Sequence, residues 1–117
     1  ITTDTAWGCD KVYVLEQATV VFVDDGATLT IEPGTTVRGS GGSALAVTSD
    51  GRLVAEGTPE QPIVMTSNNV ASPAAADWGG LVLLGDATTN LGAPGEAEGF
   101  PGTPPVYGGS DDAHDCG

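Results

Sequence analysis

Apolar and polar residues alternate in short runs along the first two-thirds of the chain, and these runs recur. The run VVFV leads through Asp-Asp-Gly to TLTI, and LAV leads later through TSDG to RLVA. An alternation with a period of two places every second side chain on one face, which is typical of β-strands. The pattern therefore predicts short strands joined by tight turns, and no helix.

The strand-turn-strand unit repeats every 24 or 25 residues. Phe22 matches Val47 at an offset of 25, whereas Ile31 matches Ala55 at an offset of 24. A repeat of this length is typical of a solenoid, in which each coil buries its apolar face against the next coil. We expect equivalent residues to stack and to face inward: Phe22 near Val47, Ile31 near Ala55, and Val37 near Ile63 or Val64.

Asp25-Gly26 and Asp50-Gly51 mark turns, because glycine adopts positive φ and aspartate bonds its own backbone. Such pairs also occur in β-hairpins. The unit recurs in the same direction along the chain, however, which favours parallel stacking of coils. Prolines 33, 59 and 62 are expected at corners, where a missing N–H breaks no ladder.

A third coil is predicted to begin at DWGGLVLLGDA. The apolar run of residues 81–84 predicts a strand that is buried on both sides or lies beneath a loop, and the preceding SNNVASPAAAD predicts a bulge out of the coil. The segment after the run is rich in glycine and proline and has no strand period. We divide the single domain into an N-terminal cap (1–19), repeated coils (20–86) and a long loop (87–117).

The glycine and proline content agrees with strands and turns, and the net charge excludes some classes of partner. The chain has 117 residues, with 18 glycines and 8 prolines, and a formal net charge of −13. Such a charge repels phosphate backbones and anionic membrane surfaces, which argues against nucleic acid as a partner. No apolar run reaches the roughly 18 residues that span a bilayer.

The two cysteines, Cys9 and Cys116, lie too far apart in the sequence for a CxxC redox or zinc motif. A disulfide that joins the two ends is one interpretation. Two unpaired thiols are another, and a partner for Cys116 in polypeptide outside this chain is a third.

Several segments together carry a resemblance to a known family. The chain resembles secreted or outer-surface bacterial proteins, many of them lipoproteins, that are expected to form right-handed parallel β-helices. The segments that carry the resemblance are DGATLTIEPGT, the AEGT run with its PI and TS, DWGG and AHDCG. The resemblance implies an all-β solenoid of about three coils and a location outside the cell or on its surface. In that family a further strand usually follows the AHDCG-like segment, so we expect this chain to be the N-terminal part of a longer β-helix.

No residue pattern predicts catalysis or a bound nucleotide. GSGGSA resembles a dinucleotide fingerprint, but a strand follows it where a helix is required. His114 is the only histidine, and no G-x-S-x-G motif accompanies it. Arg38 and Arg52 could serve a polysaccharide lyase, but both are expected at coil corners or beside turn glycines.

Carboxylates and aromatic residues give no stronger signal for a glycan-active site. Asp24 and Asp25 are predicted in a turn, whereas a glycoside hydrolase needs two carboxyls at a fixed separation. The two tryptophans, Trp7 and Trp78, are too few for a platform that stacks on sugars, and we expect them in the core or in a cap.

The most concentrated polar segment is SDDAHD near the end of the chain. Asp111, Asp112 and Asp115 could hold Ca²⁺ through hard oxygen ligands, although the segment lacks the register of a calcium loop. A solvated acidic loop is the alternative. No other cofactor is predicted.

We therefore expect a structural or adhesive module without catalysis, in which stacked coils form a rigid rod or filament. Its expected partners are the remainder of the same polypeptide or further copies that pair along the strand edges, and cell-surface glycans or proteins. A polysaccharide-active enzyme fragment and a calcium-dependent binding module are the alternatives.

Overall fold

A computed structural model describes residues 1–90, 92, 94–100 and 102–111. These residues form short strands joined by turns: β1 (Thr5–Trp7), β2 (Val12–Leu15), β3 (Val20–Val23), β4 (Thr28–Ile31), β5 (Thr36–Gly39), β6 (Ala44–Val47), β7 (Arg52–Ala55), β8 (Val64–Ser67), β9 (Leu81–Leu83), β10 (Gly95–Glu96) and β11 (Val106–Tyr107). Within the described ranges no helix is long and apolar enough to cross a bilayer.

The first nine strands form three parallel sheets of three strands each. The first sheet has the order β1-β4-β7, the second β2-β5-β8 and the third β3-β6-β9. Each coil therefore contributes one strand to every sheet, and three coils stack. This arrangement confirms the predicted parallel β-helix, and it is consistent with the right-handed sense that nearly all parallel crossovers take.

Strand pairing rules out the hairpin alternative. β3 pairs with β6, and β4 pairs with β1 and β7, all in parallel. No pairing joins β3 to β4 across the Asp25-Gly26 turn. Regular strands also begin at residue 5, so the pairing extends into the segment that the sequence assigned to a cap.

The register between the first two coils is 24 residues throughout. Val20 pairs with Ala44, and Phe22 pairs with Ala46. The expected proximity of Phe22 and Val47 is therefore wrong by one residue, and Phe22 lies on the outer face of its sheet. Val23 is the residue that pairs with Val47, and both are buried.

The register in the third coil differs from sheet to sheet. Ile31 pairs with Ala55 as expected, although Ala55 is exposed. Val37 pairs with Met65 and not with Ile63 or Val64, because the corner before β8 is four residues longer than its equivalent in the second coil. The bulge predicted before β9 is present as the loop of residues 68–80.

The core lies between the three sheets and is centred on the second coil. Its most deeply buried apolar side chains are Val23, Leu29, Ile31, Val37 and Leu45. At the N-terminal end the rings of Trp7 and Tyr13 stack at 4.6 Å and close the first coil. The expectation that Trp7 is a core or cap residue is thus confirmed.

The glycine-rich and proline-rich segment contains a small hairpin rather than loop alone. β10 and β11 pair antiparallel, and Gly108 N donates to Gly85 O at 2.7 Å. The ring of Phe100 lies 5.9 Å from that of Phe22 on the outer face of the third sheet. The segment therefore covers part of the outer face of the third sheet.

Candidate functional site

A polar groove lies where β5 and β8 of the second sheet end. Its volume is about 330 Å³, and it is lined by Gly39, Ser40, Gly41, Ser67, Asn68, Asn69 and Asp77. The loop of residues 68–80 forms one wall, because it leaves the coil at the end of β8 and returns at β9.

Asp77 is the one carboxylate among the described residues that line the groove, and its hydrogen bonds hold the loop in place. Ser67 Oγ donates to Asp77 Oδ2 at 2.5 Å, and Ala74 N donates to the same oxygen at 2.9 Å. These hydrogen bonds, that from Ser67 first, lower the pKa of Asp77 below its ordinary value. Because the carboxylate is ionised at neutral pH, it is poorly suited to act as a general acid.

The other polar groups of the groove also bond to one another. Asn68 Nδ2 donates to Ser40 Oγ at 3.2 Å, and Asn68 N donates to Gly39 O at 2.8 Å. Asn69 N donates to Ser67 Oγ at 2.9 Å. The groove is therefore a hydrogen-bonded anchor for the loop.

The DWGG segment owes its composition to close packing against the second coil. A Cβ placed on Gly39 would lie 2.3 Å from Cδ2 and Cε3 of Trp78, so the indole ring lies directly on the Gly39 backbone. A Cβ on Gly79 would lie 3.0 Å from the carbonyl oxygen of Ser43, and Gly80 has a φ of +79°. The segment is thus explained by structure without reference to a ligand.

A second candidate site is the inward-facing layer of the third coil, which we call the open layer: Leu53, Ala55, Met65, Leu81 and Leu83. Leu81 is 38% and Leu83 is 51% exposed, whereas their partners in the second coil, Leu45 and Val47, are buried. Of the two alternatives for residues 81–84, a strand buried on both sides is therefore wrong for β9, although Leu84 just after it is buried. The inward-facing side chains of β9 are exposed because, within the described residues, no further coil lies on the third one.

Arg38 and Arg52 lie in different sheets. Arg52 begins β7 beside Gly51, as expected. Arg38 is the third residue of β5 and faces outward from the second sheet, so the expectation of a corner position is wrong. Val37 and Gly39 on either side are buried, so alternation along the strand places the Arg38 side chain on the outer face.

The carboxylates that the sequence singled out in turns stay at corners. Asp24 Oδ1 accepts a hydrogen bond of 2.7 Å from Thr48 Oγ1 in the next coil. This bond is the main cause that lowers the pKa of Asp24. Asp25 and Asp50 lie in the corresponding corners, so no pair of carboxylates faces a common cleft there.

The predicted calcium residues and the disulfide are only partly covered by the structure. Asp111 N donates to Asp86 O at 3.2 Å. Asp112, His114, Asp115 and Cys116 lie outside the described residues, so the calcium site and the disulfide stay predictions. Cys9 is exposed and forms no disulfide within the described ranges.

Among residues 1–90, 92, 94–100 and 102–111, no group of three or more His, Cys, Asp or Glu side chains is arranged to hold a metal ion. Asp111 by itself supplies too few ligands, because Ca²⁺ takes six to eight oxygens. Any calcium site would need the carboxylates of Asp112 and Asp115 as well.

Sequence reasoning identified the DWGG block but not what it contacts. The hydrogen bond between Ser67 and Asp77 and the packing of Trp78 on Gly39 join residues far apart in the sequence, and no local pattern relates them. One sequence feature could have indicated this packing: small residues, Gly39 and Ser67, end two equivalent strands and leave room for other side chains.

The fold and the packing agree with the comparison to known families. The model of a pectate-lyase-like beta-helix domain matches residues 1–117, and the chain belongs to this family. No curated protein and no solved structure matches the chain. The family includes structural and adhesive modules as well as polysaccharide-active enzymes.

Proposed function

We propose that the chain is a structural module of a β-helix rod, and that its open layer takes a further β-helix coil. The exposure of Leu81 and Leu83 supports the proposal, because both are inward-facing side chains that a coil stacked on the third coil would cover. Inward-facing side chains at the same positions of the second coil are buried only because another coil lies on them. A fourth coil would complete the same pattern.

Strand edges add a second reason for this assignment. Among the described strands, β7, β8 and β9 each pair with a strand of the second coil on one side only, so their other edge is where a further ladder would form. A coil that stacks here would bury apolar side chains and form backbone hydrogen bonds at the same time. Each added coil would lengthen the rod by about 4.8 Å.

The further coil has two possible sources, the same polypeptide or another copy. Sedimentation velocity of the 117-residue chain over a range of concentrations separates them, together with the mass of the native product. Dimers or filaments of the isolated chain would indicate another copy. A native product with further repeats after residue 117 would indicate the same polypeptide.

Leu83→Asp is the variant that tests the open layer, and Val70→Asp is its control. Both replace an exposed apolar residue by a carboxylate, but Val70 lies in the loop of residues 68–80. Leu83→Asp should abolish association and Val70→Asp should not. A wild-type chain that stays a folded monomer, with slow amide exchange in residues 81–84, would contradict the proposal.

The expected location is the outside of a bacterial cell, where the module would be secreted or displayed on the surface and could adhere to glycans or proteins. The resemblance described above supports this part of the proposal. Protease treatment of intact cells, followed by detection of the module in washed cells and in the medium, tests it. Recovery only from the protected cytoplasmic fraction would contradict it.

A polysaccharide-active enzyme is the second candidate, favoured by the family match and by the position of Arg38 on an outer sheet face. We propose that the chain has no such activity. A screen against pectate, alginate and neutral glycans tests this. Turnover that is lost on replacement of Arg38, Arg52 or Asp50 would establish the enzyme instead.

A calcium-dependent binding module is the third candidate and rests on Asp111, Asp112 and Asp115. Limited proteolysis of the chain with and without Ca²⁺ provides the test. Protection of residues 86–117 by Ca²⁺, lost in an Asp112→Asn and Asp115→Asn double variant, would support it. Equal cleavage with and without Ca²⁺ would contradict the calcium-dependent binding module.

A further inference from the structure

The outer face of the second sheet presents six side chains in two rows that run across the three coils. One row is Val12, Thr36 and Val64, and the other is Val14, Arg38 and Thr66. We call these six residues the valine face. Val12, Val14 and Val64 are 49%, 46% and 42% exposed; Val12 and Val14 are neighbours on β2, and Val64 lies beyond Thr36 on the same face.

The outer faces of the other two sheets expose less apolar surface than the valine face does. The outer face of the third sheet is apolar as well, but Phe100 packs there against Phe22 and Ala46 is completely buried. The outer face of the first sheet carries Ala6, Thr28, Thr30, Arg52 and Val54, but its one valine is partly buried and is not among the exposed large apolar side chains. Within the described residues, no segment covers the valine face.

Arg38 is the single charged residue of the valine face. Its Nε is buried and has no hydrogen-bond partner, and it forms no ion pair within the described part of the chain. A partner could not reach this buried Nε, so the observation that bears on docking is that no carboxylate of the described residues pairs with the guanidinium. The chain has sixteen acidic residues, yet none of the six positions on this face carries a carboxylate to pair with this guanidinium.

We infer that the valine face is a docking surface for another protein, which brings one carboxylate to Arg38 and aliphatic side chains to Val12, Val14 and Val64. The unpaired guanidinium calls for an anion, and a carboxylate matches its planar fork of donors. The valines call for aliphatic contacts. A second copy would place two guanidiniums in one apolar interface without a carboxylate from either valine face.

The lack of aromatic residues favours a protein over a glycan. No Trp, Tyr or Phe lies among the six residues, so the face has no ring on which a sugar could stack. Flat rows of β-branched residues are instead the kind of surface that packs against aliphatic side chains of another protein. This surface is distinct from the open layer, and the inference does not depend on the proposed stacking of coils.

A random-peptide display library selected on the immobilised chain tests the inference. We expect enriched peptides to carry Asp or Glu flanked by Val, Ile or Leu. Synthetic versions of these peptides should bind Arg38→Gln at least about tenfold more weakly than the wild type. Val14→Ser should also weaken binding, since it removes apolar contact at the centre of the face.

Arg52→Gln is the matched control, because it removes a cation from a different sheet and should leave peptide affinity unchanged. Circular dichroism and thermal unfolding verify that each variant is folded. Enriched peptides without a carboxylate, or equal affinity for Arg38→Gln and the wild type, would overturn the inference. So would a glycan array that binds through Arg38 while no peptide is enriched, or self-association that Val14→Ser abolishes.

Discussion

Replacement of Gly39 by alanine should remove Trp78 from its place on the second coil. The new Cβ would lie 2.3 Å from two atoms of the indole ring, well below any normal contact. The φ of Gly39 is not positive, so the alanine backbone itself is unstrained. The whole cost therefore arises from displacement of the ring and of the loop that it anchors.

The magnitude follows from the area that the ring loses. A tryptophan buries about 150–250 Å² when it is packed. If about 120 Å² of apolar area becomes exposed, the loss at about 25 cal/mol per Å² is about 3 kcal/mol. Alanine also lowers the conformational entropy of the unfolded chain, which stabilises the folded state by about 0.4–1 kcal/mol. We therefore expect the free energy of unfolding to fall by a net amount of about 2 kcal/mol. For a chain of 117 residues this corresponds to a Tm lower by about 8 °C.

A double-mutant cycle with Trp78→Ala distinguishes this mechanism from a general loss of stability. Trp78→Ala alone should cost about 3 kcal/mol, and the double variant should cost no more, because without the ring there is nothing for the new Cβ to displace. Gly26→Ala is the control: its φ is +75° and its surroundings are open, so it should cost about 1 kcal/mol and add to Trp78→Ala. Urea denaturation measures all of these free energies. Additive costs for Gly39→Ala and Trp78→Ala would refute the packing argument.

Three further predictions concern the coils. Gly51→Ala should destabilise the chain by more than Gly26→Ala, because its Cβ would collide with a main-chain carbonyl of the first coil; equal costs in urea denaturation would contradict this. Leu29→Ala should cost about 2–5 kcal/mol, since the side chain is fully buried, and a loss below about 1 kcal/mol would place Leu29 outside the core. The lowered pKa of Asp24 means that its contribution to stability is complete above its unfolded pKa of about 3.9 and is lost as the pH falls through the folded value. Thr48→Val removes the main donor and should weaken this acid dependence by at most about 0.5 kcal/mol, which unfolding curves between pH 2 and 6 would detect as a flatter slope.

The repeat was sufficient to predict the solenoid but not its register. Asp25-Gly26 and Asp50-Gly51 align at 25 residues in the sequence, yet the pairing of β3 with β6 is offset by 24. A slip of one residue moves a side chain to the opposite face of a strand, and for this reason Phe22 was expected inside but lies outside. The two Asp-Gly pairs have the same residues but need glycine for different reasons. Gly26 has a positive φ, whereas at Gly51 a side chain would collide with the main chain of Val23.

The sequence by itself determined the parallel solenoid, because alternation within strands and recurrence in one direction are local properties of the chain. Tertiary structure alone decided which residues form the sites. Ser67 meets Asp77 and Trp78 lies on Gly39 because strands of successive coils are brought side by side, and among the described residues Arg38 forms no ion pair. Which side chains stay exposed was likewise not readable from the sequence. Leu45 and Leu83 are both apolar residues in strands, and they differ in burial only because one has a coil on each side and the other has a coil on one side.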